Sequence, residues 1–220
     1  MMAASLLVRN PNFRLLFGAG TLTNLGDGLV ILALPWLATL MTQDAIAIAA
    51  VAAAGRLPWL FFAIPAGVIV DNADHRKLIA RTDLLRAVIV LAIMMLAMNE
   101  PAAAGSVWGV WVLAGLAFLL GSAEVLRDNA AQTMLPSIVE PEDLERANGQ
   151  LWSSEQLTGE FIGPPLAGLL IAAGIGIPFG VDAALLVLAA GLVWMISLKP
   201  KPKNHSSFRS ALVEGITYAA

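Results

Sequence analysis

Six stretches of this chain are dominated by apolar residues, and each is about long enough to cross a bilayer, which takes ~20 residues in helix. They cover residues 15–40, 45–70, 78–98, 106–125, 151–173 and 177–198. None alternates apolar and polar positions with period two, the mark of a half-buried strand. In lipid only helices and closed barrels satisfy their own backbone groups, so runs of this kind predict helices. The expected fold is an all-α membrane protein, a six-helix transmembrane bundle over residues 1–198 arranged as three helices plus three.

After Leu198 the pattern breaks. Lys-Pro-Lys-Pro-Lys-Asn-His reads as an extended, solvated linker at the membrane surface. Ser206 or Ser207 then caps a helix in which Phe208, Leu212, Val213 and Ile216 recur at helical spacing. That amphipathic pattern in 199–220 is still running at Ala220, so further helices are expected, on this polypeptide or another.

The direction of threading comes from charge. Arg9 and Arg14 precede the first run. His75, Arg76, Lys77 and Arg81 join the second to the third. Arg127 and Arg146 lie between the fourth and fifth, and Lys199, Lys201, Lys203 and Arg209 follow the sixth. The alternate connections, at 42–44, 99–105 and 174–176, hold no Lys or Arg. Positive residues stay on the cytoplasmic side. The expectation is a multi-pass protein of the plasma (inner) membrane with both termini cytoplasmic.

Composition narrows the chemistry. Hydrophobic residues make up 58% of the chain and charged residues only 13%, and the longest connection, Leu126 to Gln150, leaves no room for a soluble catalytic domain. No basic patch suits a nucleic acid. The absence of cysteine excludes disulfides, thiolate metal sites and cysteine nucleophiles. The two histidines, His75 and His205, both fall in connections, which argues against a histidine metal centre. No cofactor is called for, and no Ser/Lys pair or His/Asp/Glu cluster shares one depth, so an embedded enzyme is disfavoured.

Prolines inside the runs (Pro35, Pro58, Pro65, Pro164, Pro165) bend helices by removing a hydrogen bond. Small residues such as Gly159, Gly163 and Gly168 let helices approach closely in lipid. Between the second and third runs stands Gly67-Val68-Ile69-Val70-Asp71-Asn72-Ala73-Asp74-His75-Arg76-Lys77. This resembles the major facilitator signature Gly-x-x-x-Asp-x-x-x-x-Arg-Arg/Lys, at the place where that superfamily carries it. The stretch Gly159-Glu160-Phe161-Ile162-Gly163-Pro164-Pro165-Leu166-Ala167-Gly168 is similar to its antiporter motif, with Ala167 in place of a glycine. Asn24 to Gly28, Arg56 to Trp59, Leu135 to Val139 and Leu144 to Gly149 resemble the drug and siderophore efflux branch that includes the enterobactin exporter and macrolide efflux proteins.

The resemblance runs the whole length but covers only the amino-terminal six of the superfamily's usual twelve helices. It implies an efflux transporter working by alternating access, with an amphipathic small molecule and protons as partners and a carboxyl-terminal half, or a second copy, completing the cavity. The family often places an arginine early in the fourth span for proton coupling; residues 107–121 here hold no charge.

Ionisable groups at membrane depth are costly, ~2.5–3.5 kcal/mol each, and mark functional sites. Asp27 and Arg56 each lie about ten residues into their runs, near ~15 Å depth at 1.5 Å per residue. They are expected to form an ion pair, to be two poles of one polar cavity, or to meet backbone or water separately. Glu160, beside the Gly-Pro element, is the candidate proton-titrating carboxylate. Five residues on an ideal helix turn it by roughly 140°, so Glu155 is not expected to share its face. Asp83 and Arg86 are placed to pair locally. Glu124, Arg127 and Asp128 read as a cytoplasmic cluster latching against the Asp71 loop, and Gly67, Asp71, Arg76 and Lys77 as a cytoplasmic gate in which Gly67 lets two helices touch. The tryptophans read as interfacial, with Trp36 and Phe61 as minor cavity candidates. The alternative to transport is a six-helix structural or regulatory partner, or a truncated remnant.

Overall fold

The computed structural model describes residues 6–99 and 107–198. The expected linker and amphipathic helix of 199–220 lie outside the described residues, as does most of the connection at 99–105.

The first three long helices begin where the sequence supplies side-chain caps. A one-turn helix, Leu6–Arg9, leads into α1 (Pro11–Met41), where the Asn10 side chain accepts from the Phe13 amide and Pro11 occupies the first turn. Asp44 caps α2 (Ala45–Asp71) through the Ile46 amide, and Asp74 caps α3 (His75–Met98) through the Lys77 amide. Then come α4 (Val107–Met134), α5 (Leu144–Glu155), α6 (Gly163–Ala173) and α7 (Ile177–Trp194). All regular structure among the described residues is helical.

Six rods thus stand where six apolar runs were expected, with two differences. The fourth helix continues to Met134, and α5 starts at Leu144, so only residues 135–143 connect them. Helices of a bundle project past the lipid whenever their outer turns still pack, which hydropathy does not register. The fifth rod is not one α-helix. Gln156–Ile162 is wound as a π-helix between α5 and α6. Pro164 and Pro165 bring no amide hydrogens to the turn below them, so the carbonyl ladder there must re-register, and a wider turn does so. Among the described residues, four helices are long and apolar enough to cross a membrane: Pro11–Met41, Ala45–Phe62, Trp108–Ser137 and Ile177–Trp194. The third carries Arg81, Asp83 and Arg86 in its apolar part, and the fifth is interrupted.

α2 lies along α4, α3 packs on α4 and α7, and α1 is held between α7 and the α5–α6 rod. The apolar core comes in two blocks. One joins Val30 to Met41 with Val51, Val90, Ile93, Leu113, Phe179 and Leu186. The other joins Phe13, Leu16, Val70, Ile79, Met134 and Val193. Between them runs a polar layer holding Thr23, Asp27, Asp83, Arg86 and Arg127. That layer positions the site.

Candidate functional site

A cavity of about 370 Å³ opens on the bundle beside the polar layer. Its walls come from α1 (Asn24, Asp27, Pro35), α2 (Arg56, Trp59), α4 (Glu124, Asp128) and the π turn (Gly159, Glu160), together with Glu155 at the end of α5. A second cavity, of about 390 Å³, shares Asn24, Trp59, Asp128 and Glu155 with the first and continues toward Gln132, Asn148 and Trp152. The two are therefore contiguous along the α1–α4–α5 face. α3 and α7 line neither.

The expected pairing of Asp27 with Arg56 is not made. Asp27 instead bonds Arg86 of α3, whose guanidinium is almost fully buried. Arg56 is exposed and faces the same cavity, so of the expected arrangements the structure has the two poles, not the pair. The physical reason is helix order: α3 presents Arg86 to the back of α1, while α2 leans on α4 and holds Arg56 at the cavity mouth. Behind Asp27 the charges form a chain. Arg86 Nη1 stands 4.0 Å from Asp83, Asp83 lies 3.6 Å from Arg127 Nε, and Arg127 donates to Asp128 at 2.9 Å. Asp27 and Asp128, the two ends, face the cavity, while Asp83, Arg86 and Arg127 are buried. Three carboxylates thus share two guanidinium groups, and buried charges persist only when paired in this way.

The expected latch of Glu124, Arg127 and Asp128 on the Asp71 loop is likewise replaced. Arg127 reaches Asp83 of α3, Glu124 and Asp128 face the cavity, and Asp71 is exposed.

Glu155 and Glu160 share the cavity, contrary to the 140° argument. A π turn bonds residue i to i+5, which brings positions five apart nearly into register. The glycines divide sharply. A Cβ on Gly163 would lie 2.6 Å from the Gly28 Cα, and one on Gly28 would strike the Gly159 carbonyl oxygen. Gly159 and Gly163 therefore set the α1 crossing. Gly168 and Gly67 have nothing within 4 Å of such a Cβ, so the contact expected of Gly67 is not made. Trp59, not Trp36 or Phe61, lines the cavities.

At the Gly67–Lys77 signature, Arg76 donates to the Ile196 carbonyl at 3.1 Å and lies 5.6 Å over the Trp194 ring. Lys77 pairs with Asp74 at 3.2 Å. Desolvation pushes the Asp74 carboxyl up, but the Lys77 amide and ammonium outweigh it and hold Asp74 below the usual carboxylate range. Hydropathy passes over Asp182 entirely. It is fully buried on α7, and the signal was there: a lone acid in the last apolar run. Among the described residues, no group of three His, Asp or Glu is placed to hold a metal ion.

A family model described as transmembrane secretion effector matches residues 4–220. The chain belongs to that family of the major facilitator superfamily. It is 34% identical over 166 residues to the multidrug efflux pump Tap of Mycolicibacterium fortuitum, covering 74% of this chain and 39% of that protein. It is 31% identical over 219 residues to Tap of Mycobacterium tuberculosis strain H37Rv, covering 94% of this chain and 49% of the relative. The chain thus spans about half the length of these curated relatives or less. As a family member it is a multi-pass membrane protein of a transporter class.

Proposed function

We propose that this chain is the amino-terminal, six-span half of a proton-coupled efflux transporter that exports amphipathic small molecules by alternating access. The carrying observation is the cavity wall at Asp27. A carboxylate that faces the cavity is held from behind by a buried arginine, in a layer where acids outnumber bases. A proton arriving there changes the pairing of α1 with α3, and so couples proton binding to helix position.

Asp27, Arg56 and Glu160 line the substrate and coupling cavity. The apolar wall residues, Val30, Ile31, Leu34 and Trp59, suit the greasy part of an amphipathic solute. Gly159, Gly163, Pro164 and Gly168 form the antiporter-type element. Its role is supported by the α1 crossing at Gly28 for the first two glycines, and by the π turn for Pro164. Gly67, Asp71, Arg76 and Lys77 form the cytoplasmic gate, supported by the tie from Arg76 to the Ile196 carbonyl. The orientation places both termini in the cytoplasm of a plasma (inner) membrane protein, on the strength of the Lys and Arg bias. Six spans in a three-plus-three arrangement fit the family and the six rods.

Arg56 and Glu160 line the cavity and are exposed. That face is completed by a carboxyl-terminal six-helix half, on the same or a separate chain, or by a second copy. The test has two steps. An amino-terminal tag at the native locus reads the size of the product, and a band near twice 23.1 kDa supports a full transporter. Cells carrying that product are then loaded with ethidium. Faster export than in a deletion strain, lost in Asp27→Asn at equal membrane level, supports the reading. Equal ethidium retention in all three strains sinks it.

A further inference from the structure

Asp182 has no place in the account so far, yet its surroundings are specific. It is 0% exposed, and neither carboxyl oxygen has a hydrogen-bond partner. Its carboxyl occupies the space beside Gly26, where a Cβ would come within 2.9 Å of the Asp182 Cγ and closer still to Oδ1. Gly26 immediately precedes Asp27, so this glycine makes a slot that sets the Asp182 carboxyl against the turn carrying the cavity acid. Arg86 comes from α3, which packs on α7, and it reaches Asp27, the residue after that glycine. Its Nη2 is committed to Asp27, while its Nε and Nη1 have no hydrogen-bond partner. Unspent donors of Arg86 and unspent acceptors of Asp83 and Asp182 are thus buried in the layer between α1, α3 and α7.

The elements packed on α7 are α1, α3 and α6. The charged groups that α1 and α3 bring to the buried layer beside α7 are Asp27 from α1 and Asp83 and Arg86 from α3. α6 has no ionisable residue. Asp83 is also engaged with Arg127 at 3.6 Å, whereas Asp182 has no hydrogen-bond partner among the described residues.

We infer that Asp182 is a second carboxylate of the coupling site, the one that takes over Arg86 when Asp27 is protonated and lets it go. This rests on the proton-coupled reading above. One proton from the gradient adds to an Asp27 carboxylate oxygen, making a neutral acid and dissolving its ion pair with Arg86. The guanidinium then donates through Nε or Nη1 to the Asp182 carboxylate. When the proton leaves Asp27, the first pairing returns. One O–H bond forms and breaks, and no other covalent bond changes. A buried guanidinium is thereby never stranded without a counter-ion. Because Asp27 rides on α1 and Asp182 on α7, the exchange moves the tie of α3 from one helix to the other.

The experiment uses the full-length transporter in proteoliposomes with ethidium as the probe, reading gradient-driven export and ethidium counterflow, which needs no net proton movement. In Asp182→Asn, gradient-driven export falls about tenfold or more, the loss expected when a proton-linked group goes, while counterflow keeps its parental rate. The pH midpoint of export moves by about one unit, because a charge facing Asp27 has been removed. Parental export with an unchanged pH profile overturns the inference, and so does an equal loss of both activities, which marks a packing role. Should Asp182→Asn fail to reach the membrane, Gly26→Ala displaces the same carboxyl without removing it, and the same split between the two activities decides. Gradient-driven export surviving in Asp27→Asn would instead sink the proton-coupled reading itself.

Discussion

Replacing Gly163 by alanine separates a glycine that holds the bundle together from one that merely sits in the same motif. A Cβ at 163 would be 2.6 Å from the Gly28 Cα, 2.8 Å from the Gly28 carbonyl carbon and 3.0 Å from the Thr158 carbonyl oxygen. All three are backbone atoms, so no side chain can rotate away. Restoring an ordinary carbon contact of ~3.5–4.0 Å requires α1 and α6 to part by roughly 1 Å. Overpacking of that size costs about 1–3 kcal/mol. Alanine recovers about 0.5–1 kcal/mol through its better helix propensity, so Gly163→Ala is expected to be destabilised by up to about 2.5 kcal/mol. Gly168→Ala, with nothing within 4 Å of the new methyl, gains the propensity term alone. Thermal unfolding of the purified full chain in detergent, followed by tryptophan emission, reads the difference. At about 2–4 °C per kcal/mol for a chain of this size, the two melting points move in opposite directions. If Gly163→Ala melts with the parent, or Gly168→Ala falls as far, the close α1–α6 crossing is wrong.

Three further outcomes follow from the polar layer and the caps. Arg86→Leu leaves Asp27 and Asp83 without their shared cation and costs about 3–5 kcal/mol, read as lost membrane yield and a lower melting point; a parental melting point would show that the pair is not formed. The chain has no cysteine, so Glu160→Cys and Arg56→Cys introduce single thiols at the cavity that label rapidly with a water-soluble maleimide, whereas Asp83→Cys and Asp182→Cys stay unlabelled until the protein is unfolded. Rapid labelling at 182 would contradict its burial. Asp74→Ala removes the α3 cap and costs about 1 kcal/mol near neutral pH. Since the folded state holds Asp74 below the usual carboxylate range, its stabilisation is present above that range and is lost as pH falls through the folded value. A parent-minus-variant difference that grows on acidification would refute that sign.

Several features were readable along the chain because their causes are local. Apolar runs long enough for lipid give helices, caps such as Asn10, Asp44 and Asp74 start them, and charge in the connections sets the expected threading. The signature from Gly67 to Lys77 and the Gly-Pro element around Gly163 carried the family. Even the wish to pair Asp27 followed from one fact, that a charge at membrane depth needs a partner.

Which partner it takes is another matter. Arg56 and Arg86 lie at comparable depth, and choosing between them requires knowing which helix stands behind α1 and how each is rotated. The same holds for the glycines: Gly163 and Gly168 are equivalent in the motif, but only one faces Gly28. The π turn was hidden for a related reason, since an angular argument about Glu155 and Glu160 assumes a winding that Pro164 and Pro165 remove. Hydropathy and capping depend on neighbours in sequence, so the sequence alone determined a helical membrane protein of this family. Helix order, rotation and crossing depend on contacts between residues far apart in the chain, and only the tertiary structure decided that Asp27 meets Arg86 with Asp182 waiting beside Gly26.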